Sequence, residues 1–392
     1  MHILMLPASY PRFYKPLSGI FYRDQVLALH RSGVTVGVID PSPRAARTAV
    51  LGGVSSQRFQ ITSGLDEGVP VVQAHDWSVP FFRRLYAQQF LWRTNDLFQR
   101  YERDYGQPDV IHAQETLWAG IAAEKVSQRT GIPYVVTEHS SEYRTATIPI
   151  WAAAQVRASL DRAASVVTVS SDLGNRLRKF CQPREMEVVP NVVDTEFFSF
   201  MARPAGSTPF LFASVASQIL DKGIDVLLRA FALGFAGRAD VRLEIGGDGP
   251  DRSSFEALAD ELGVRRQVHW LGALTRDQVR SCLHRADAFV LPSRHETFGV
   301  VFIEAMSTGL PVVATRCGGP EDFVNTETGR LVGVDNVDET ADAMRDVVQS
   351  RAEWSDRGRA IHNYTVERFS QAAVSRQLCT IYDGAIRRGV SQ

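Results

Sequence analysis

AFVLPSRHETFGVVFIEAMSTGLPVVAT (288–315) is the stretch on which the fold turns. Two short apolar runs, AFVLPS (288–293) and PVVAT (311–315), enclose a segment that starts near Gly299 and stops at Gly309. Runs this short, bounded by Gly and Pro, read as buried strands, and the segment between them as a crossover helix. Strand, helix, strand at that spacing is the unit of a parallel sheet. Glu296 then lies at the carboxyl end of one strand, just before a helix N-terminus, and Glu304 lies one turn beyond Val300 inside the helix. A carboxylate beside Phe302, Ile303, Ala305 and Met306 is costly to bury unless something answers it.

The free N–H groups near Phe298, Gly299 and Val300 form an anion site, and Gly299 lets a phosphate approach the backbone closely. Ionised carboxylates only accept hydrogen bonds. Two of them around such a helix end suit a ligand with phosphates in the middle and vicinal hydroxyls at either end, as in a sugar nucleotide. The alternative is an amphipathic helix with one solvated Glu and one N-terminal Glu complementing the dipole. The apolar flanks of Glu304 argue against it.

The same alternation runs outward in both directions. In the first half the strands are HILML (2–6), VTVGVI (34–39), DVIHA (109–113), YVVTEH (134–139), SVVTVS (165–170) and MEVVP (186–190), with helical patterns such as FYRDQVLALHRSG (21–33) between them. FSFMARPAGSTPF (198–210) has neither period and reads as a linker. A second series follows: FLFASVA (210–216), VRLEIGG (241–247), VHWLGA (268–273), then the two strands of the opening stretch. Thr275 and Gln278 stand at capping-box spacing before a further helix. The expected organisation is 1–197, a linker 198–209, 210–365, and a C-terminal helix within 366–392. Two doubly wound domains facing a central cleft follow, with ligands outside the carboxyl ends of the strands.

Composition narrows the partners. The chain has 392 residues, 44% hydrophobic and 22% charged, with a net charge of -1, so no global field draws it to nucleic acid. Cys181, Cys282, Cys317 and Cys379 show neither zinc spacing nor a disulfide framework, which favours a reducing cytosol. The start MHILMLPASYP reads as a strand, and a signal peptide or bilayer-spanning run is not expected. Of 43 basic residues only Lys15, Lys125, Lys179 and Lys222 are lysine, which singles out each of them in an arginine background.

HETFGVVFIEAMSTGLPVVATRCGGPEDFV (295–324) closely resembles the E-x7-E signature of the retaining GT-B glycosyltransferases of family four. PDVIHAQ, YVVTEHSSEY, VTVSSDL and VVPNVVD in the first half, and DKGIDVLLRAFA, GGDGPDR and LPSRHETFG in the second, extend the likeness over nearly the whole chain. The resemblance implies two Rossmann-like domains in the GT-B arrangement and a nucleotide-sugar donor. It gives Glu304 the ribose hydroxyls and Glu296 the hexose hydroxyls. Phe298, Gly299 and Val300 would offer backbone N–H groups to sugar and diphosphate, and Lys222 would contact the diphosphate. Gly19 in PLSGIFYRDQ would approach the phosphates, His139 the donor hexose near its anomeric centre, and the backbone of Gly272 to Leu274 the base. Ser217 stands where the family has an arginine, and Arg294 and Arg316 are the nearby candidates to replace it.

No Asp-x-Asp triplet occurs, so the resemblance implies a metal-independent reaction with no cofactor, in which Lys222 and helix N–H groups neutralise the leaving diphosphate. It further implies retention at the anomeric carbon, by front-face attack. Glu138 either orients His139 or caps its strand, and His112 reads as packing. His75, Asp76 and Trp77 are candidates for the acceptor side. FFRRLYAQQFLWRTNDLFQR (81–100) reads as a helix packed on the first sheet with its arginines outward, the alternative being a peripheral membrane contact for a lipid-linked acceptor. The expected protein is cytoplasmic, with a glycan or lipid-linked acceptor. Rival readings are a nucleotide-sugar epimerase or phosphorylase on the same fold, and a non-enzymatic two-domain sugar-binding protein.

Overall fold

The structure is a computed structural model, and it describes residues 1–12, 18–45, 60–78, 82–140, 142–145, 148–182, 185–203 and 209–390. The chain divides into two compact units: Met1–Val192 with Gln371–Gln392, and Val193–Ser370. The first division thus falls ahead of the stretch read as a linker, of which 204–208 lie outside the described residues.

Among the described residues unit 1 holds an eight-stranded sheet made of β1 (His2–Pro7), β2 (Thr35–Asp40), β4 (Ile61–Asp66), β5 (Val69–Ala74), β7 (Val110–Gln114), β8 (Tyr134–Glu138), β9 (Ser165–Thr168) and β10 (Glu187–Val188). Two-residue strands β3 (Arg44–Ala45) and β6 (Trp77–Ser78) pair separately. The order is β10-β9-β8-β7-β1-β2-β5-β4, parallel except for β4 against β5. Strands β7, β8 and β9 are buried along their whole length, as interior strands of a parallel sheet covered on both faces are. The order reverses between β1 and β7, so the crevice of this unit opens at their carboxyl ends.

The last helix, Gln371–Val390, belongs to unit 1. It buries Val374, Leu378, Ile381, Tyr382 and Ala385 with Ile3, Met5, Val26, Val36 and Val135 in one cluster. Each such aliphatic side chain removed from water contributes about 1.5–3 kcal/mol. His112, on β7, is fully buried between Tyr382 Oη (2.6 Å) and Thr137 Oγ1 (2.7 Å), so it packs, as read.

Unit 2 holds six parallel strands, β11 (Phe210–Val215), β12 (Val241–Gly246), β13 (Val268–Gly272), β14 (Ala288–Leu291), β15 (Val312–Thr315) and β16 (Gly329–Val332), in the order β13-β12-β11-β14-β15-β16. The opening stretch forms β14, the helix Val300–Ser307 and β15. The reversal lies between β11 and β14, the strands that lead to Lys222 and to Glu296. Thr275 and Gln278 make the reciprocal capping box expected of them.

Among the arginines of 81–100, Arg83 and Arg84 are exposed as read, and Arg93 is a correction. Residue 81 is outside the described residues, and Arg83–Tyr105 is one helix. Its buried face carries Ala87, Phe90, Thr94, Leu97, Phe98 and Tyr101, but also Arg93, turned inward to a buried pair with Asp76. Among the described residues no helix is long and apolar enough to cross a membrane.

Candidate functional site

In unit 2 two helix N-termini meet at the switch point. Lys222 closes a short turn after β11, and Gly223, at φ 65°, starts the helix Ile224–Phe235. A Cβ on Gly223 would stand 1.9 Å from the carbonyl oxygen of Pro292, so only glycine lets this helix end approach the exit of β14. Across that contact the Lys222 ammonium donates to Glu296 Oε1 at 2.7 Å, and Ser293 Oγ donates to the same oxygen at 2.8 Å. The Glu296 backbone is pinned to Gly318 and Gly319, whose N–H reaches its carbonyl at 3.1 Å. Lys222 thus neutralises the Glu296 carboxylate.

Gly299 caps Val300–Ser307 at φ 96°. The Phe298 ring turns into the core against Phe323 (5.2 Å) and Phe369 (6.0 Å), leaving its backbone at the helix start. Val300 and Glu304 are half-buried, one turn apart on that helix. Ser217 is exposed in the loop after β11. Gly272 and the half-buried Leu274 sit at the end of β13, where Leu274 leans over Gly246. Of the two arginines offered for the missing one, Arg294 is engaged and Arg316 is exposed. Arg294 grips Asp225 with both terminal nitrogens (2.9 and 2.8 Å) and Asp335 at 2.7 Å, a structural clamp. Arg316 lies 3.7 Å from Glu339 at the surface.

In unit 1, Gly19 at φ 70° caps the helix Ile20–Arg31, and a Cβ there would stand 2.3 Å from the Ser9 carbonyl oxygen. The first turn of that helix carries Phe21 and Tyr22, whose rings lie 5.3 and 5.1 Å from that of His139. His139 is buried, and its Nε2 bonds Gln114 Oε1 at 2.6 Å, so Nε2 carries the proton. Burial first, then His112, pushes its pKa down to about 3 against a hydrogen bond to Asn191. It is a neutral imidazole at physiological pH. Glu138 does not touch that ring. Its carboxylate accepts from Thr116 N and Oγ1 (2.9 and 2.6 Å) and from His139 N and Ser140 N (2.8 and 2.6 Å), tying two loops together.

The acceptor-side candidates lie elsewhere. His75 is buried and bonds Thr62 Oγ1 at 2.8 Å, Asp76 is held by Arg93 at 2.8 Å, and Trp77 is half-buried in β6. They follow β5, four strand positions from β8, which His139 follows, so the sheet does not bring them together.

Sequence reading passed over Glu115. It leaves β7 at φ 76°, a region in which a non-glycine residue costs about 1–3 kcal/mol. The turn is over-determined by Glu115 N on Thr137 O (2.7 Å) and Gly120 N on Glu115 O (3.0 Å). Tyr22 Oη donates to its Oε1 at 2.5 Å. Burial, then the neighbouring Glu138 charge, pushes its pKa up to about 8. No pattern in HAQET announces this; the strain belongs to the loops around it.

Known proteins match at this point. The family model described as Glycosyl transferases group 1 matches residues 198–364, and that described as Glycosyltransferase Family 4 matches 19–197. The chain belongs to glycosyltransferase family four. Among relatives of this glycosyltransferase, the glycogen synthase of Mycobacterium tuberculosis is 28% identical over 73% of this chain and 71% of that one. The phosphatidylinositol N-acetylglucosaminyltransferase gpi3 subunit of Schizosaccharomyces pombe is 29% identical over 53% of this chain, which spans 45% of that protein. The sucrose-phosphate synthase of Thermosynechococcus elongatus superposes with a TM-score of 0.79 at 20% identity, covering 99% of this chain and 100% of that one. Anabaena Alr3699/HepE in complex with UDP superposes at 0.74 with 18% identity, over 98% and 100%. Both share the two-Rossmann GT-B fold.

Proposed function

We propose that this glycosyltransferase moves a hexose, with retention and without a metal, from a UDP- or GDP-sugar to a glycan or a lipid-linked acceptor. The observation that carries the reading is the Lys222–Glu296 pair at two adjoining helix N-termini. Helix N-termini favour phosphate, and a cation beside them stabilises the charge that develops on a departing diphosphate. Lys222 therefore serves the diphosphate, with backbone N–H groups of Phe298, Gly299 and Val300. Glu296 accepts from the hexose hydroxyls and Glu304 from the ribose. The end of β13 stands three strand positions from β14, roughly 14 Å at the usual spacing, room for base and ribose at Gly272 and Leu274. The solved complex of HepE with UDP supports a uridine donor for a protein of this fold. Within unit 1, the neutral His139 is suited to act as a hydrogen-bonding group rather than a charge. A peripheral membrane position at the inner face of the cell membrane suits a lipid-linked acceptor. Phe82, Leu85 and Trp92, exposed along the helix Arg83–Tyr105, would supply its contact.

A panel of nucleotide sugars, screened by thermal shift and then for transfer, tests this. A UDP- or GDP-sugar should raise Tm and yield a product with the anomeric configuration of the donor. A protein unmoved by every donor, or one that gives the inverted product, contradicts it.

A further inference from the structure

The turn after β7 carries a second chemistry besides that of the donor. Within five residues it holds two non-glycine residues in the left-handed region, Glu115 at φ 76° and Trp118 at φ 69°. Trp118 is half-buried and stacks on Trp151 at 5.6 Å and 22°, with Tyr86 6.2 Å away on its other neighbour helix. Arg84 covers Trp151 at 5.4 Å, so the paired indoles are backed and fixed. Glu115 is likewise half-buried, and its carboxyl bonds Tyr22 Oη. An indole face braced from behind, beside a carboxyl with unused oxygen capacity, is the combination that holds a sugar. The ring's C–H face lies on the aromatic surface, and its hydroxyls meet the carboxyl.

We propose that Glu115 and Trp118 form the subsite for the acceptor glycoside, Trp118 stacking on its ring and Glu115 hydrogen-bonding its hydroxyls. Tyr22 and Trp151 are positioning residues that hold these two in place. This assignment rests on the glycosyl-transfer reading. It moves the acceptor from the segment 75–77, whose carboxylate is buried against Arg93, to the exit of a strand at the switch point of unit 1.

Strain supplies the discriminating test. Glycine suits both backbone conformations, so Glu115→Gly and Trp118→Gly relieve strain while removing the recognition groups. Acceptor binding is measured by calorimetry with octyl α- and β-glycosides of glucose, galactose and mannose, in the presence of saturating UDP or GDP. The wild type should bind at least one of them. Glu115→Gly, and Trp118→Ala as a second variant, should bind it about tenfold or more weakly, with the nucleotide-induced thermal shift intact. Glu115→Gly should melt no lower than the wild type, and Trp118→Phe should restore most of the affinity. Unchanged glycoside binding in both Glu115→Gly and Trp118→Ala overturns the subsite, as does a wild type that binds none of the glycosides at millimolar concentration. Loss of glycoside binding together with a fallen Tm and a lost nucleotide shift also overturns it, since that is the mark of a structural role. A wild type that neither responds to nucleotide diphosphates nor transfers sugar overturns the underlying reading; one that transfers, beside variants that transfer equally well, overturns the subsite alone.

Discussion

Lys222 and Glu296 satisfy each other at 2.7 Å, so a diphosphate that takes the lysine must separate them. The consequence is asymmetric. Glu296→Ala frees the ammonium, and nucleotide diphosphate affinity should hold or rise while transfer collapses. Lys222→Ala should weaken the same nucleotide about 10–100-fold, the loss of one charge-assisted bond. Glu304→Ala should weaken donor and free nucleotide diphosphate alike, because both carry the ribose diol. Calorimetry with UDP and GDP separates the three, and equal losses in the two glutamate variants would dissolve the division of labour. Glu115 adds a pH dependence. Its pKa is raised to about 8 in the folded chain, so the folded state holds a proton that the unfolded state releases at lower pH. Its contribution to stability is complete below the ordinary carboxyl range and is lost as pH rises toward 8. Melting followed from pH 5 to 9 should therefore fall less steeply for Glu115→Gln than for the wild type. A parallel pair of curves would mean the carboxyl is already ionised in the fold.

The helix Gln371–Val390 and the hairpin β4–β5 show where element-level reasoning works and where it stops. The helix was legible because its apolar positions recur at helical spacing, and those same positions, Val374, Leu378, Ile381, Tyr382 and Ala385, are the buried ones. Glu296 was legible because it stands shortly before a helix start, where phosphate chemistry concentrates, whereas Lys222 was marked by the likeness of DKG to the family and by the scarcity of lysine. The hairpin was missed because β4 is largely exposed and has no apolar run, and its turn is Glu67–Gly68 rather than a familiar Asn-Gly. Arg93 was placed outward because a lone arginine in a helix usually is; its partner Asp76 arrives from seventeen residues earlier, which local pattern does not reveal. Glu115 was missed because tertiary bonds to Thr137 and Gly120 impose its backbone angle. Two substitutions probe these elements. Tyr382→Phe leaves the His112 Nδ1 without its partner in a dry site and should cost about 1–3 kcal/mol in urea unfolding. Gly223→Ala should be destabilising through both its positive φ and the Pro292 carbonyl, and it should weaken nucleotide binding by moving Lys222.

At the scale of the whole chain, the two units are built differently. Val193–Ser370 is one continuous stretch that holds every residue assigned to donor phosphates and base except Gly19, whereas unit 1 is completed only by the returning segment from Gln371 onward. A chain of two such units need not unfold in one step. A ligand held mainly by unit 2 then stabilises mainly that unit, by about 2.7 kcal/mol at a hundredfold excess over its Kd. Hydrogen exchange on the full chain reads this directly. UDP or GDP should slow exchange around Lys222–Leu227 and Gly299–Glu304 and leave the helix Gln371–Val390 unchanged, and Lys222→Ala should abolish the effect. Tyr382→Phe should do the reverse, loosening the last helix while nucleotide protection at Gly299 persists. If nucleotide instead protected the last helix as strongly as the turn at Lys222, the phosphates would have their principal hold in unit 1, at the helix that Gly19 begins, and the lysine at the switch point of unit 2 would be left as the partner of Glu296 alone.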